Sequence, residues 1–215
     1  MNEDSVSSGS RLNGMLSQAK LTPLNPALSS QFESYLTLLL RWNARTNLTA
    51  VRDEEGILSR HFVESIACAE AIPAGIKTLL DFGSGAGFPG IPIALCHPEI
   101  AITLAESQGK KAAFLHEAIR ALGLPAKVHS GRAENLRAEF DCVTLRAVDR
   151  MSQAVDAAVR LIAPEGWLIV MTSGAELAGL QGAAGTHFVW KMESRLPGSD
   201  DRLIAMGQKQ FSSPV

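Results

Sequence analysis

Cysteine is scarce in this sequence, and its three copies are dispersed. Cys68, Cys96 and Cys142 each lie in an apolar stretch. A small, odd and unclustered set does not form a disulfide framework or a zinc site. The five histidines show no metal-ligand spacing either. We therefore predict buried, reduced thiols in a cytoplasmic protein that holds no metal.

The chain also lacks an excess of charge of either sign. Its 20 Lys and Arg residues nearly balance 22 Asp and Glu residues, for a formal net charge of −2. Any contact with nucleic acid must therefore come from a local basic patch. No apolar run approaches the roughly 18 residues of a membrane span, and residues 1–10 are polar and partly acidic. We expect neither a membrane segment nor a signal peptide.

Apolar residues make up 46% of the 215 positions, which is enough for one sizeable domain. We predict a flexible tail over residues 1–25, because this segment is polar at its start. Residues 26–75 contain two segments with helical periodicity and are predicted to form a helical appendage. Residues 76–215 are predicted to form the main domain. Nothing in the sequence requires an oligomer, and we expect a monomer.

In the main domain, short apolar strands alternate with helices. The strands are predicted at residues 78–82, 101–105, 127–129, 141–145 and 167–171. This alternation predicts a parallel sheet with helices on both faces. Two further strands, at 186–196 and 202–206, are joined by so short a turn that they must be antiparallel. The predicted fold is a Rossmann-like α/β domain whose seven-stranded, mostly parallel sheet ends in an antiparallel hairpin.

A glycine-rich loop follows the first strand directly, with the sequence D-F-G-S-G-A-G at residues 81–87. Such a loop lies at the carboxyl edge of an open α/β sheet, where ligands bind. Glu106 ends the second strand at the same edge. Its carboxylate can accept hydrogen bonds from both hydroxyl groups of a ribose. The loop and Glu106 together predict a nucleoside-binding site.

Two cofactors fit such a site. Residues 85–90 match the G-x-G-x-x-G pattern of dinucleotide-binding proteins, which by itself is a weak signal. Asp81 favours S-adenosylmethionine instead, because a carboxylate attracts its sulfonium and ammonium groups and would repel a pyrophosphate. The D-x-G-x-G-x-G register and the closing hairpin point the same way. We therefore predict S-adenosylmethionine rather than NAD.

Further motifs give the chain a specific resemblance. They comprise W-N at 42–43, T-N-L-T at 46–49, R-H at 60–61, G-F-P-G-I-P at 87–92, E-S at 106–107, G-K-K at 109–111, R-A-E at 132–134 and R-A at 146–147. From about Tyr35 onwards the sequence resembles the glucose-inhibited division protein B family. This family comprises bacterial methyltransferases that modify N7 of a guanine in 16S ribosomal RNA.

The resemblance implies an S-adenosylmethionine-dependent rRNA guanine-N7 methyltransferase acting at guanine 527 of 16S RNA. Naked RNA, an assembly intermediate and the small ribosomal subunit remain alternative substrates. The cofactor site that the motifs imply comprises Asp81, Gly83, Ser84, Gly85, Gly87, Phe88, Glu106, Ser107, Ala133, Glu134 and Arg146. In one place the chain departs from the family, which usually has a lysine where this sequence reads Thr172-Ser173-Gly174. One substrate contact is therefore in question.

Guanine N7 carries a lone pair and no proton, so the transfer needs no general base. Arg146 is the first candidate to position the substrate or the cofactor, since it ends the fourth strand and a guanidinium can pair with guanine O6. The alternative is a purely structural salt bridge to Asp149 or Glu106. Trp42 could stack on a base, although we favour a core role for it.

The basic patch for RNA is predicted from Arg41, Arg45, Arg52, Arg60, Lys110 and Lys111, whose charges would contact phosphates. Two other functions stay open on the sequence. The first is a methyltransferase of another RNA, a protein or a small molecule. The second is a nucleotide-binding module without transfer activity.

Overall fold

The computed structural model describes residues 6–210. The N-terminal part is helical: α1 (Ser8–Gln18), α2 (Pro26–Thr46), α3 (Glu54–Ile57), a π-helical segment (Leu58–Val63) and α4 (Glu64–Glu70). The remaining helices are α5 (Gly90–Cys96), α6 (Gly109–Ala121), α7 (Met151–Val159) and α8 (Gly174–Ala184), with a 3-10 turn at Ala133–Asn135. Within residues 6–210, none of the helices combines the length and the hydrophobicity that spanning a bilayer requires.

The seven strands are β1 (Thr78–Phe82), β2 (Ala101–Ala105), β3 (Lys127–His129), β4 (Phe140–Arg146), β5 (Ile162–Ser173), β6 (Phe188–Arg195) and β7 (Arg202–Lys209). They form one sheet in the order β3-β2-β1-β4-β5-β7-β6. The first five strands are parallel, and β7 runs antiparallel to both β5 and β6. The predicted Rossmann-like sheet with one reversed strand is confirmed.

Two apolar layers cover the two faces of the sheet. Successive residues of a strand point to opposite faces, so Leu79 belongs to one buried cluster and Leu80 to the other. The first cluster joins the sheet to α1, α2, α4, α5 and α6, and the second joins it to α7 and α8. The N-terminal helices therefore pack on the same side as α5 and α6.

The predicted flexible tail is wrong for the described residues 6–25. Ser7 caps α1 by accepting a hydrogen bond from the backbone N–H of Ser10, and Leu12 and Leu16 are fully buried. Arg11 also forms an ion pair with Glu54 at the start of α3. These long-range contacts order the segment even though its local composition is polar. Residues 1–5 lie outside the described part.

One strand boundary also differs from the prediction. We predicted the fifth strand at residues 167–171, but α7 ends at Val159 and Ile162 already belongs to β5, opposite Phe140. Pairing with β4 makes the short apolar run around Ile162 a strand. Periodicity alone does not distinguish helix from strand in so short a run.

Candidate active site

The glycine loop leaves β1 at the centre of the sheet, between β2 and β4. Gly83, Gly85 and Gly87 all have positive φ angles. Larger residues are also excluded by close packing, since a Cβ on Gly87 would lie 2.8 Å from the Tyr35 hydroxyl. A Cβ on Gly90 would lie 2.6 Å from the Asp81 carboxylate. The loop therefore folds tightly around the first turn of α5.

The buried side chain of Asp81, in β1, anchors the glycine loop through hydrogen bonds. Its Oδ1 accepts a hydrogen bond from the Thr144 hydroxyl at 2.9 Å, and its Oδ2 accepts one from the backbone N–H of Gly90 at 3.2 Å. Burial raises the pKa of the carboxyl group to about 6. Asp81 does not line the cavity described next. Asp81 therefore holds the loop through these two bonds, and its part in cofactor binding stays a prediction.

A cavity of about 300 Å³ opens at the carboxyl ends of β1, β2 and β4. Eight of the predicted site residues line it: Gly83, Ser84, Gly85, Phe88, Glu106, Ser107, Lys111 and Arg146. A second cavity of about 210 Å³ shares Gly83, Glu106 and Ser107 with the first and adds Ala133 and Glu134. The two cavities adjoin, so nine of the eleven predicted cofactor residues meet at one edge of the sheet.

Glu106 stands at the junction of the two cavities. Its Oε2 accepts a hydrogen bond from the backbone N–H of Gly85 at 2.9 Å, and its Oε1 accepts one from that of Gln108 at 2.6 Å. A carboxylate offers about four acceptor sites, so these bonds leave capacity for a ligand's hydroxyl groups. The backbone bonds fix the carboxylate in place beside the glycine loop.

Arg146 extends from the end of β4 into the wall of the cavity. Its guanidinium donates to Glu64 at 2.7 Å and to the backbone carbonyl of Arg60. The predicted alternative partners, Asp149 and Glu106, are therefore wrong, and the ion pair is to Glu64 of α4. Arg202 of β7 lies 2.6 Å from the other oxygen of Glu64, without hydrogen-bond alignment. Burial lowers the pKa of Arg146 and raises that of Glu64.

The chain's departure from the family motif lies close to this cluster. The hydroxyl groups of Thr172 and Ser173 donate to Glu176 at the start of α8. Ser173 pairs with Arg202 across the β5–β7 ladder. A cation from the neighbouring strand is therefore present beside the position where the family has a lysine.

The cavity is also lined by residues that the sequence did not predict as site residues. Among them are His61 and Thr49. The Nε2 atom of His61 lies 2.7 Å from the hydroxyl oxygen of Thr49. Both belong to the motifs that carried the family resemblance, which was the available signal. Ala147, Val148 and Asp149, which follow Arg146, were also not anticipated.

The residues predicted to bind RNA do not form one cluster. Lys111 lines the cavity, whereas Arg41 and Arg45 line a separate one of about 500 Å³ with Trp42 and Glu117. Arg41 forms an ion pair with Glu117, which also accepts a hydrogen bond from Trp42. Trp42 packs on Phe114, which supports the core role we favoured.

The other residues predicted to contact RNA, Arg52, Arg60 and Lys110, have different surroundings. Arg52 donates to Asn47 at 2.8 Å, and Arg60 offers its carbonyl to Arg146. Lys110 is exposed in the first turn of α6. Within residues 6–210, no group of three or more His, Cys, Asp or Glu residues is arranged to hold a metal ion.

Comparison with known proteins decides between the families that share this fold. The family model described as GidB, rRNA small subunit methyltransferase G, matches residues 28–193. The chain belongs to this family. Two curated relatives bear the name ribosomal RNA small subunit methyltransferase G. The protein from Xanthomonas euvesicatoria is 43% identical over 69% of this chain and 70% of its own length. The protein from Roseiflexus is 42% identical over 63% and 64% respectively.

Solved structures agree on the fold. A SAM-dependent methyltransferase from Aquifex aeolicus superposes with a TM-score of 0.58, at 13% identity, over 72% of this chain and 93% of its own. A predicted O-methyltransferase from Agrobacterium tumefaciens gives 0.57 at 19% identity, over 69% and 82%. The GidB-family chain therefore has the fold of class I methyltransferases.

Proposed function

We propose that this protein transfers a methyl group from S-adenosylmethionine to N7 of a guanine in 16S ribosomal RNA, at the position corresponding to guanine 527. Membership of the family supports the assignment of the substrate. The two adjoining cavities on either side of Glu106 support the assignment of the cofactor. We infer further that the chain acts as a monomer in the cytoplasm, on the small ribosomal subunit or its RNA.

The residues present fit a sulfonium-bearing nucleoside. The tight glycine loop lets a ligand approach the backbone between Gly83 and Gly85, and Glu106 offers a fixed carboxylate for ribose hydroxyls. Ala133 and Glu134 line the adjoining cavity, where an adenine and its exocyclic amine would lie. When bound, S-adenosylmethionine supplies an electrophilic methyl group.

The chain's own residues have a modest chemical task in this reaction. Guanine N7 is unprotonated at neutral pH, so no side chain needs to remove a proton. Alignment of the reacting groups can contribute about 7–11 kcal/mol to lowering the barrier. Arg146 is held at the cavity by Glu64 and can present a guanidinium to guanine O6. We assign Arg146 to positioning the substrate.

The test is transfer of an isotopically labelled methyl group to small ribosomal subunits that lack the modification. We expect label in 16S RNA with wild-type protein and with Glu165→Gln, which changes an exposed carboxylate away from both cavities. Glu106→Gln should weaken binding of S-adenosylhomocysteine about 10-fold or more, because hydrogen bonds to charged groups contribute about 1.5–3 kcal/mol. Label that enters protein or small molecules instead would overturn the RNA assignment.

A further inference from the structure

The helix that carries His61 has an unusual geometry at the cavity. Between α3 and α4 the chain forms a π-helical segment, Leu58–Val63, with His61 inside it. Such segments accommodate an extra residue in a helical turn and occur frequently at functional sites. Here the π-helical segment carries a histidine that lines the cavity together with Arg146.

His61 is the outer ring of an aromatic stack. Its ring lies nearly parallel to that of Phe88, with centroids 4.6 Å apart and an interplanar angle of 21°. Phe88 is backed in turn by Tyr35 and Phe62, at 5.5 and 5.9 Å. Tyr35 is anchored by donating its hydroxyl to the carbonyl of Ala86, at 2.6 Å. The buried rings give His61 a rigid base.

Burial and the neighbouring cations keep the ring of His61 neutral. Burial and the nearby Arg146 guanidinium lower the pKa of His61 to about 3. The Thr49 hydroxyl accepts from the backbone N–H of Val51 and lies against Nε2, which orients the ring further. A neutral ring does not repel the positive charge that methylation at N7 places on guanine. A protonated imidazole in the same position would repel it.

On the strength of the proposed function, we infer that His61 is a specificity-determining residue: the unstacked purine base of the RNA stacks on its ring. The lone pair of N7 lies in the plane of the base. A platform against the face of the base therefore fixes that plane and leaves the N7 and O6 edge free. RNA-binding proteins commonly hold splayed bases on aromatic side chains in this way. Arg146, in the same cavity, can then meet O6.

Two substitutions separate stacking from a merely structural role. His61→Leu fills similar space with an apolar group that has no aromatic face, whereas His61→Phe keeps the face. His116→Ala is the control, because His116 contacts Ser130 and lies outside the cavity. The measurements are kcat/KM for methyl transfer to unmodified small subunits, the affinity for S-adenosylhomocysteine, and the thermal midpoint.

We expect His61→Leu to lower kcat/KM roughly 5- to 150-fold, the range found when a base loses an aromatic partner, and His61→Phe to stay within about threefold of wild type. Affinity for S-adenosylhomocysteine should change less than about twofold in both. Equal losses in the Leu and Phe variants, or no loss in the Leu variant, would overturn the inference. A wild-type protein that transfers no methyl group to 16S RNA would instead contradict the proposed function.

Discussion

The guanidinium of Arg146 lies 2.7 Å from the carboxylate of Glu64, and this ion pair joins the end of β4 to helix α4. The side chain of Glu64 is 1% exposed and also contacts Arg202 of β7. One buried carboxylate therefore connects the N-terminal helices, the centre of the sheet and the closing hairpin. The cavity wall formed by Arg146 depends on all three.

Replacing Glu64 with alanine should destabilise the fold strongly. The change leaves the guanidinium of Arg146 buried without its partner, which typically costs about 3–5 kcal/mol. Chemical denaturation measures the free energy of unfolding. The matched control is Glu55→Ala, which removes the exposed carboxylate that pairs with Arg11 and should change that energy by less than about 1 kcal/mol. Similar losses in both variants would contradict this assignment.

The tight packing around Gly90 predicts that a larger residue there destabilises the fold. In Gly90→Ala the new Cβ would meet Leu104 at 2.4 Å as well as Asp81, so we expect a loss of about 1–3 kcal/mol in stability. Gly179 lies exposed within α8 with open space around it. Gly179→Ala should therefore stabilise the protein, by about 0.5–1 kcal/mol. Thermal unfolding of the two variants tests whether stability falls in Gly90→Ala and rises in Gly179→Ala.

Much of this arrangement follows from the sequence. The alternation of strands and helices predicted the sheet, and the glycine loop with Glu106 predicted which edge carries the site. The Arg146–Glu64 pair was not predictable, because it joins residues that are distant in sequence and depends on how α4 packs. The position of Asp81 below the loop likewise follows from its bonds to Gly90 and Thr144, which periodicity does not reveal.

The errors at the N-terminus have a similar cause. Helix α1 is a short segment that contains two glycines, so its local preference for helix is weak. Its order comes from burial of Leu12 and Leu16 against the rest of the fold. The π-helical turn around His61 also has no signature in a pattern read with the ordinary helical period. Both features depend on tertiary contacts.

The neutral state of His61 predicts an acid-sensitive fold. Its folded-state pKa is lowered to about 3, by burial and then by Arg146, with the Arg202 guanidinium also acting against protonation. The unfolded chain therefore binds the proton first, and this contribution to stability is lost as pH falls from about 6.5 towards 3. Asp81, whose pKa is raised to about 6, acts in the opposite direction below pH 6.

Comparing wild type with His61→Phe isolates the contribution of the histidine, since Asp81 is common to both. Between pH 7 and pH 4 the wild-type protein should lose more unfolding free energy than the variant. Denaturant titrations at several pH values measure the difference. Parallel pH profiles for the two proteins would show that His61 is not buried in its neutral form.

The basic residues of α2 and α6 should contribute to RNA affinity through charge alone. Among the described residues, Arg45 has no ion pair or hydrogen bond, so Arg45→Ala removes a cation with little structural cost. We expect weaker binding to 16S RNA and a salt dependence whose slope falls by about 0.7–0.9. The control is Arg160→Ala at the C-terminal cap of α7, which packs on the other face of the sheet; the exposed guanidinium of Arg160 pairs with Asp156. An equal effect of both changes would refute a local RNA-binding face.

The most direct measurement of the proposed activity is mass mapping of 16S ribosomal RNA from cells that lack this protein. We predict that the guanine corresponding to position 527 is unmethylated in those cells and regains its methyl group when the wild-type gene is restored. Restoring a Glu106→Gln gene should give less methylation. Full methylation of that guanine in cells without the protein would contradict the assignment.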